Sequence, residues 1–172
     1  MQKYDMILSL TSWKGRIYDS SFLVVLLSML KQNTTAKYKV VLVLSEEEFP
    51  KKEEELPQKL VELDNVCDYF EILWTEENTR AYKKYFPTRR KYPEENIVPL
   101  DDDSPLHSNF VEVFKLTLEK FPDRMIIGTN RFIGNRSQSI VHVRFVCACF
   151  RPNSLYPNLD KFFGRNYFHE HD

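Results

Sequence analysis

The sequence predicts an α/β fold, one domain over residues 1–172 with a mixed, mainly parallel sheet. Three observations predict it. The first unit reads strand, loop, helix, strand, the form of a parallel crossover. Short β-rich apolar runs then alternate with helix-period segments along the chain. Polar loops rich in charge follow the apolar runs, where open α/β sheets collect ligands.

The elements follow in order. Met6 to Leu10 is an apolar run suited to a buried strand. The polar loop Thr11-Ser12-Trp13-Lys14-Gly15-Arg16 comes next. Asp19 or Ser20 can cap a helix running to about Gln32. That helix is apolar nearly all round, which predicts deep burial. Tyr38 to Leu44 is the second strand. Ser45 to Pro57 is an acidic loop, and a short helix is expected from Leu56 to Leu63. Tyr69 to Thr75 is the third strand. Glu76 to Tyr92 is helical in pattern, with a break or restart at Pro87. Asn96 to Leu100 is the fourth strand. His107 to Phe121 is an amphipathic helix, Met125 to Gly128 a fifth strand, and Ser139 to Phe150 a long late strand suited to antiparallel pairing.

Composition narrows the function classes. The net charge is -1, which argues against a general nucleic-acid binder. Charge is unevenly spread. Glu46 to Glu62 holds seven acids and three bases, whereas Arg80 to Lys91 holds six bases and no acid. Three cysteines, Cys67, Cys147 and Cys149, make no disulfide framework and lack zinc-site spacing; Cys147 and Cys149 read as small core residues. The start has no signal-peptide pattern, and the apolar run Phe22 to Leu27 is too short to span a bilayer. A reducing, cytoplasmic setting is the resulting expectation.

Asp101-Asp102-Asp103 stands out as chemistry. It follows the apolar run Ile97-Val98-Pro99-Leu100. If the triplet stays extended, Asp101 and Asp103 share one side and Asp102 takes the other. Two carboxylates on one side suit a hard divalent cation, which shares its oxygen ligands readily with a substrate phosphate. The plainer alternative is a solvated acidic turn.

Four stretches occur together and in order: Ser9-Leu10-Thr11-Ser12-Trp13-Lys14-Gly15-Arg16-Ile17, Val43-Leu44-Ser45-Glu46-Glu47-Glu48-Phe49-Pro50, Tyr82-Lys83-Lys84-Tyr85-Phe86-Pro87 and Asp101-Asp102-Asp103. As a set they resemble a family of bacterial GT-A-type glycosyltransferases found in polysaccharide gene clusters. The resemblance covers about residues 5–105, and Leu155-Tyr156-Pro157 resembles a later family loop. It implies a Rossmann-like, three-layer α/β/α fold, a nucleotide-sugar donor, and a DxD motif at Asp101 and Asp103 holding Mn2+ or Mg2+ against the donor diphosphate. It implies donor contacts from Thr11, Ser12, Arg16, Lys83, Lys84, Asp101 and Asp102. The implied acceptor is a glycan or a lipid-linked chain, with contact at the cytoplasmic face of the inner membrane. Arg89, Arg90 and Lys91 read as surface charge, facing anionic lipid or an anionic acceptor.

The chain departs from the family pattern in three places. Val146 to Pro152 stands where the family loop is glycine-rich, and bulkier side chains narrow a pocket there. Ser104-Pro105-Leu106-His107 lacks the family's aliphatic and tyrosine pattern. The late acidic pair that would supply a general base has no counterpart; the late acids are Asp160, Glu170 and Asp172, of which Glu170 and Asp172 in His169-Glu170-His171-Asp172 are the candidates. These departures set a second expectation beside the enzyme: a non-catalytic nucleotide-sugar or partner-binding relative, lacking the acceptor segment. A metal-dependent phosphohydrolase is a third, for which no nucleophile motif is present.

Overall fold

The computed structural model describes residues 3–122, 126–129 and 145–152. Four strands form an all-parallel sheet in the order β3-β2-β1-β4: β1 Met6–Thr11, β2 Tyr38–Ser45, β3 Phe70–Thr75 and β4 Ile97–Leu100. Central β1 is buried from Met6 to Leu10, because parallel strands with helices on both faces need apolar residues on both sides. Met6, Leu8 and Leu10 point into the larger core with Leu42, Leu44 and Val98. Ile7 points the other way, among Val41, Val43 and Ile97.

Helices cover the two faces unequally. α2 (Ser20–Leu30), α3 (Gln58–Val66) and α5 (Phe110–Lys120) contribute Phe22, Val25, Met29, Leu60, Val111, Phe114 and Leu118 to the larger core. α4 (Phe86–Lys91) and the 3-10 turn Arg80–Lys84 lie against the other face, where Thr88 and Ser9 share a buried hydroxyl–hydroxyl hydrogen bond of 2.7 Å. α1 is the single turn Lys14–Ile17 after β1. The layers are therefore α/β/α, the Rossmann-like GT-A arrangement expected.

The antiparallel pairing is set apart from this sheet. β5 (Ile126–Thr129) and β6 (Phe145–Cys149) form their own two-stranded antiparallel sheet. It joins β4 through one antiparallel bridge, Ile97 with Phe150.

Several local expectations hold with a physical reason visible. Asp19 caps α2, its carboxylate accepting from the Ser21 backbone N–H at 2.9 Å. The segment before β4 breaks at Tyr85, and α4 starts with Pro87 in its first turn, where a missing N–H costs nothing. Other expectations need correction. α2 is not buried all round: Leu23, Val24 and Leu27 are 39%, 58% and 46% exposed, since the helix covers the sheet with one side only. Val113 and Leu116 of α5 are exposed for the same reason. Cys149 is a buried core residue.

Arg89 is a second correction. It is no surface charge. Its guanidinium donates to the carbonyls of Tyr92, Pro93 and Glu95 at 3.3, 3.2 and 2.8 Å, and to those of Phe150 and Arg151 at 2.8 and 3.2 Å. Five planar donors suit such a clamp. It ties the end of α4 to the segment that follows β6. Lys91 pairs with Glu71 at 2.6 Å, and Tyr92 donates to the same carboxylate at 2.8 Å.

Candidate functional site

The parallel register brings four strand ends to one edge. Thr11 ends β1 beside Val43, Leu100 ends β4 beside Leu10, and Thr75 ends β3 beside Ser45. The loops leaving that edge enclose a cavity of about 390 Å³, within the usual size for a small-molecule site. Thr11, Ser12, Lys83, Lys84, Asp101 and Asp102 line it. Residues some ninety positions apart thus converge on one cleft.

Ser12 is 4% exposed and donates from Oγ to Asp102 Oδ2 at 2.5 Å. Arg16 Nε lies 3.5 Å from the same oxygen. Asp102 is thus held by a hydroxyl and a guanidinium from the loop after β1. Thr11 Oγ1 donates to the Val43 carbonyl at 2.8 Å, so its hydroxyl closes the strand pair.

The two adjacent lysines separate. Lys83 is 3% exposed and ion-paired with Glu48, from the loop after β2. Lys84 is more open, 19% exposed, and its Nζ lies 2.5 Å from Asp101 Oδ1; that carboxylate is 57% exposed. One lysine knits two loops together below the cleft, and the other meets the triplet at its surface.

The triplet is not extended. The strand stops at Leu100, and Asp102 and Asp103 lie in a turn. The alternation expected of an extended segment therefore fails. Asp101 and Asp102 both line the cavity, whereas Asp103 faces solvent and accepts a 3.1 Å hydrogen bond from Ser104 Oγ. Among the described residues no three His, Cys, Asp or Glu side chains form a metal-holding group. Two carboxylates completed by phosphate oxygens are nonetheless a donor set that suits Mg2+ or Mn2+, which seldom rely on an all-protein cage. Glu170, Asp172 and the other late acids lie outside the described residues, as do Leu155-Tyr156-Pro157.

The cavity includes residues that the sequence reading did not assign. Glu48 belongs to the quoted acidic stretch, and its place at a strand's carboxyl end was a usable signal. Asn78, Arg80 and Ala81 also line it. Arg80 has φ 51°, a left-handed backbone that costs an L-residue energy, and its N–H is caught by Asn78 Oδ1 at 3.1 Å. Trp13 is 56% exposed at the rim. Its six-membered ring lies against Gly15 so closely that a β-carbon there would overlap three ring carbons, so this position requires glycine while the indole stays down.

No protein-family model matches the chain, and no curated protein matches it. Solved structures do. The crystal structure of Staphylococcus aureus TarS residues 1–349 superimposes with a TM-score of 0.54 at 12% identity. The match covers 81% of this chain and 38% of that one. At that identity the likeness concerns fold, and it shows a glycosyltransferase-like α/β fold for this chain.

Proposed function

We propose that the chain binds a nucleotide-sugar donor in this cleft and acts as a metal-dependent glycosyltransferase. The observation that carries the reading is the convergence of Ser12, Lys84, Asp101 and Asp102 on one cavity at the carboxyl edge of a parallel sheet. TarS, a distant structural neighbour, is a glycosyltransferase. The acceptor in this reading is a glycan or a lipid-linked chain of surface polysaccharide, met at the cytoplasmic face of the membrane. Among the described residues no helix is long and apolar enough to cross a bilayer.

The reading gives each of these residues a role. Asp102 is committed to Ser12 and Arg16, so it orders the loop after β1 around the donor. Asp101 is the triplet carboxylate that both lines the cavity and stays open to exchange; it would hold Mn2+ or Mg2+ together with phosphate oxygens of the donor, while Asp103, expected as its co-ligand, faces solvent. Such a cation, when bound, neutralises charge on the leaving diphosphate. Lys84 supplies further positive charge to that diphosphate, while Lys83 keeps the floor rigid through Glu48. Arg16 and Thr11 shape the loop that receives the nucleoside.

One observation favours a second reading, a binding module without turnover. Each carboxylate that lines the cavity already has a partner: Glu48 with Lys83, Asp101 with Lys84, Asp102 with Ser12 and Arg16. None is left as a ready general base. Release of nucleoside diphosphate from UDP- and GDP-sugars, with Mn2+ and with EDTA, separates the two. Metal-dependent release that disappears in Asp101→Asn supports the enzyme. Donor affinity without product supports the module.

A further inference from the structure

We infer that Lys84 is an exchangeable counter-ion, which leaves Asp101 for the donor diphosphate when a divalent cation arrives. The inference rests on the donor-binding reading above and goes beyond it, because it sets how the two ligands depend on each other.

The carboxylates of the cavity are already paired as it stands, and Arg80 adds a further positive charge to its lining. Its carboxylates Glu48, Asp101 and Asp102 are matched by Lys83, Lys84 and Arg16. A cation entering alone finds Asp101 already occupied by an ammonium 2.5 Å away. A diphosphate entering alone finds Lys84 already committed to a carboxylate. Each ligand by itself must break the Lys84–Asp101 pair and leave one charge without its partner. Together they break it once and satisfy both halves: the cation takes Asp101, and the ammonium takes a phosphate oxygen. The two ligands should therefore bind with positive coupling, and linkage makes that coupling reciprocal.

Burial decides which lysine can do this. Lys83 is 3% exposed and its partner Glu48 24%, so breaking that pair strands a charge out of water. Asp101 is 57% exposed, and a pair with so open a member is weak and quickly opened. Lys84 also sits on the turn of 3-10 helix that ends at this residue, next to the Tyr85 break, with a flexible four-carbon stem. Its reach can change without moving the sheet.

The test is calorimetric titration of Mn2+ alone, UDP or GDP alone, and each in the presence of the other, using the whole chain. In the unmodified protein each ligand is expected to tighten the other by about 5- to 150-fold, the usual range of such coupling. Lys84→Met is expected to bind Mn2+ alone several-fold more tightly and to lose most of the coupling. Lys84→Arg, which keeps the charge, should retain it. Asp101→Asn gives an independent reading: with Lys84 released, the nucleotide should bind more tightly than in the unmodified protein when EDTA is present. Unchanged Mn2+ affinity and full coupling in Lys84→Met would overturn the exchange and leave a metal-dependent nucleotide site standing. Absence of binding of either ligand to every variant would overturn the exchange and the donor-binding reading together.

Discussion

Ser12 Oγ donates to Asp102 Oδ2 at 2.5 Å, joining the loop after β1 to the turn after β4 across ninety positions of chain. The contact is largely buried on the serine side, and Arg16 reinforces it. Ser12→Ala removes one charge-assisted hydrogen bond. It is expected to lower stability by about 1–2 kcal/mol and to weaken nucleotide binding several-fold through loop disorder. Urea unfolding and nucleotide titration on the same sample check both. Lost stability with full affinity would make the contact purely structural.

Arg80 pairs a cavity position with a left-handed backbone, φ 51°. Arg80→Gly and Arg80→Ala lose the same guanidinium, so their difference isolates the backbone. Glycine is expected to be the more stable by about 1 kcal/mol. Both variants should bind nucleotide less well than the unmodified chain. Equal melting curves for the two would remove the backbone account.

Arg89 carries a prediction about stability without function. Arg89→Met leaves five carbonyls short of a donor, two of them beyond β6. The expected cost is about 2–4 kcal/mol, read from the urea midpoint, with Arg89→Lys recovering only part of it. Nucleotide affinity of the folded fraction should be unchanged, since Arg89 is not among the residues that line the cavity.

Glu71 gives a pH dependence with a definite sign. Burial alone pushes its carboxyl up, but hydrogen bonds from Lys91 and Tyr92, together with the charges of Lys91 and Lys39, outweigh this and hold it below the ordinary 4.5. A carboxylate depressed in the folded state contributes stability above its unfolded value, and that contribution is lost as pH falls through the folded one. Unfolding free energy should therefore drop on acidification below about pH 4.5, and Glu71→Gln should flatten that part of the profile. A profile identical in the variant would assign the acid sensitivity elsewhere.

Much of the sheet was legible because buried parallel strands are written as unbroken apolar runs. Met6 to Leu10, Tyr38 to Leu44 and Asn96 to Leu100 needed no other cue. Pro87 marked the restart of α4 because its ring has only one comfortable place in a helix. The carboxyl-edge rule gathered Thr11 to Arg16 and Asp101 to Asp103, of which Thr11, Ser12, Trp13, Asp101 and Asp102 line the cavity; Lys83 and Lys84 were implied by the family resemblance alone. What was hidden depends on contacts distant in sequence. Nothing near Arg89 announces the carbonyls of Phe150 and Arg151. The outward side of α2 looks as apolar as its inward side, so composition could not show that Val24 meets solvent. The turn at Asp102 and Asp103 defeated the extended reading because the strand ends one residue before the triplet.

The most direct measurement is titration of UDP and GDP into the protein with Mn2+ and with EDTA, for the unmodified chain and for Asp101→Asn. The account predicts binding of one nucleotide that is at least about tenfold tighter with Mn2+, and loss of that metal dependence in Asp101→Asn. Equal affinity in Mn2+ and in EDTA, or no binding of either nucleotide under any condition, would contradict it.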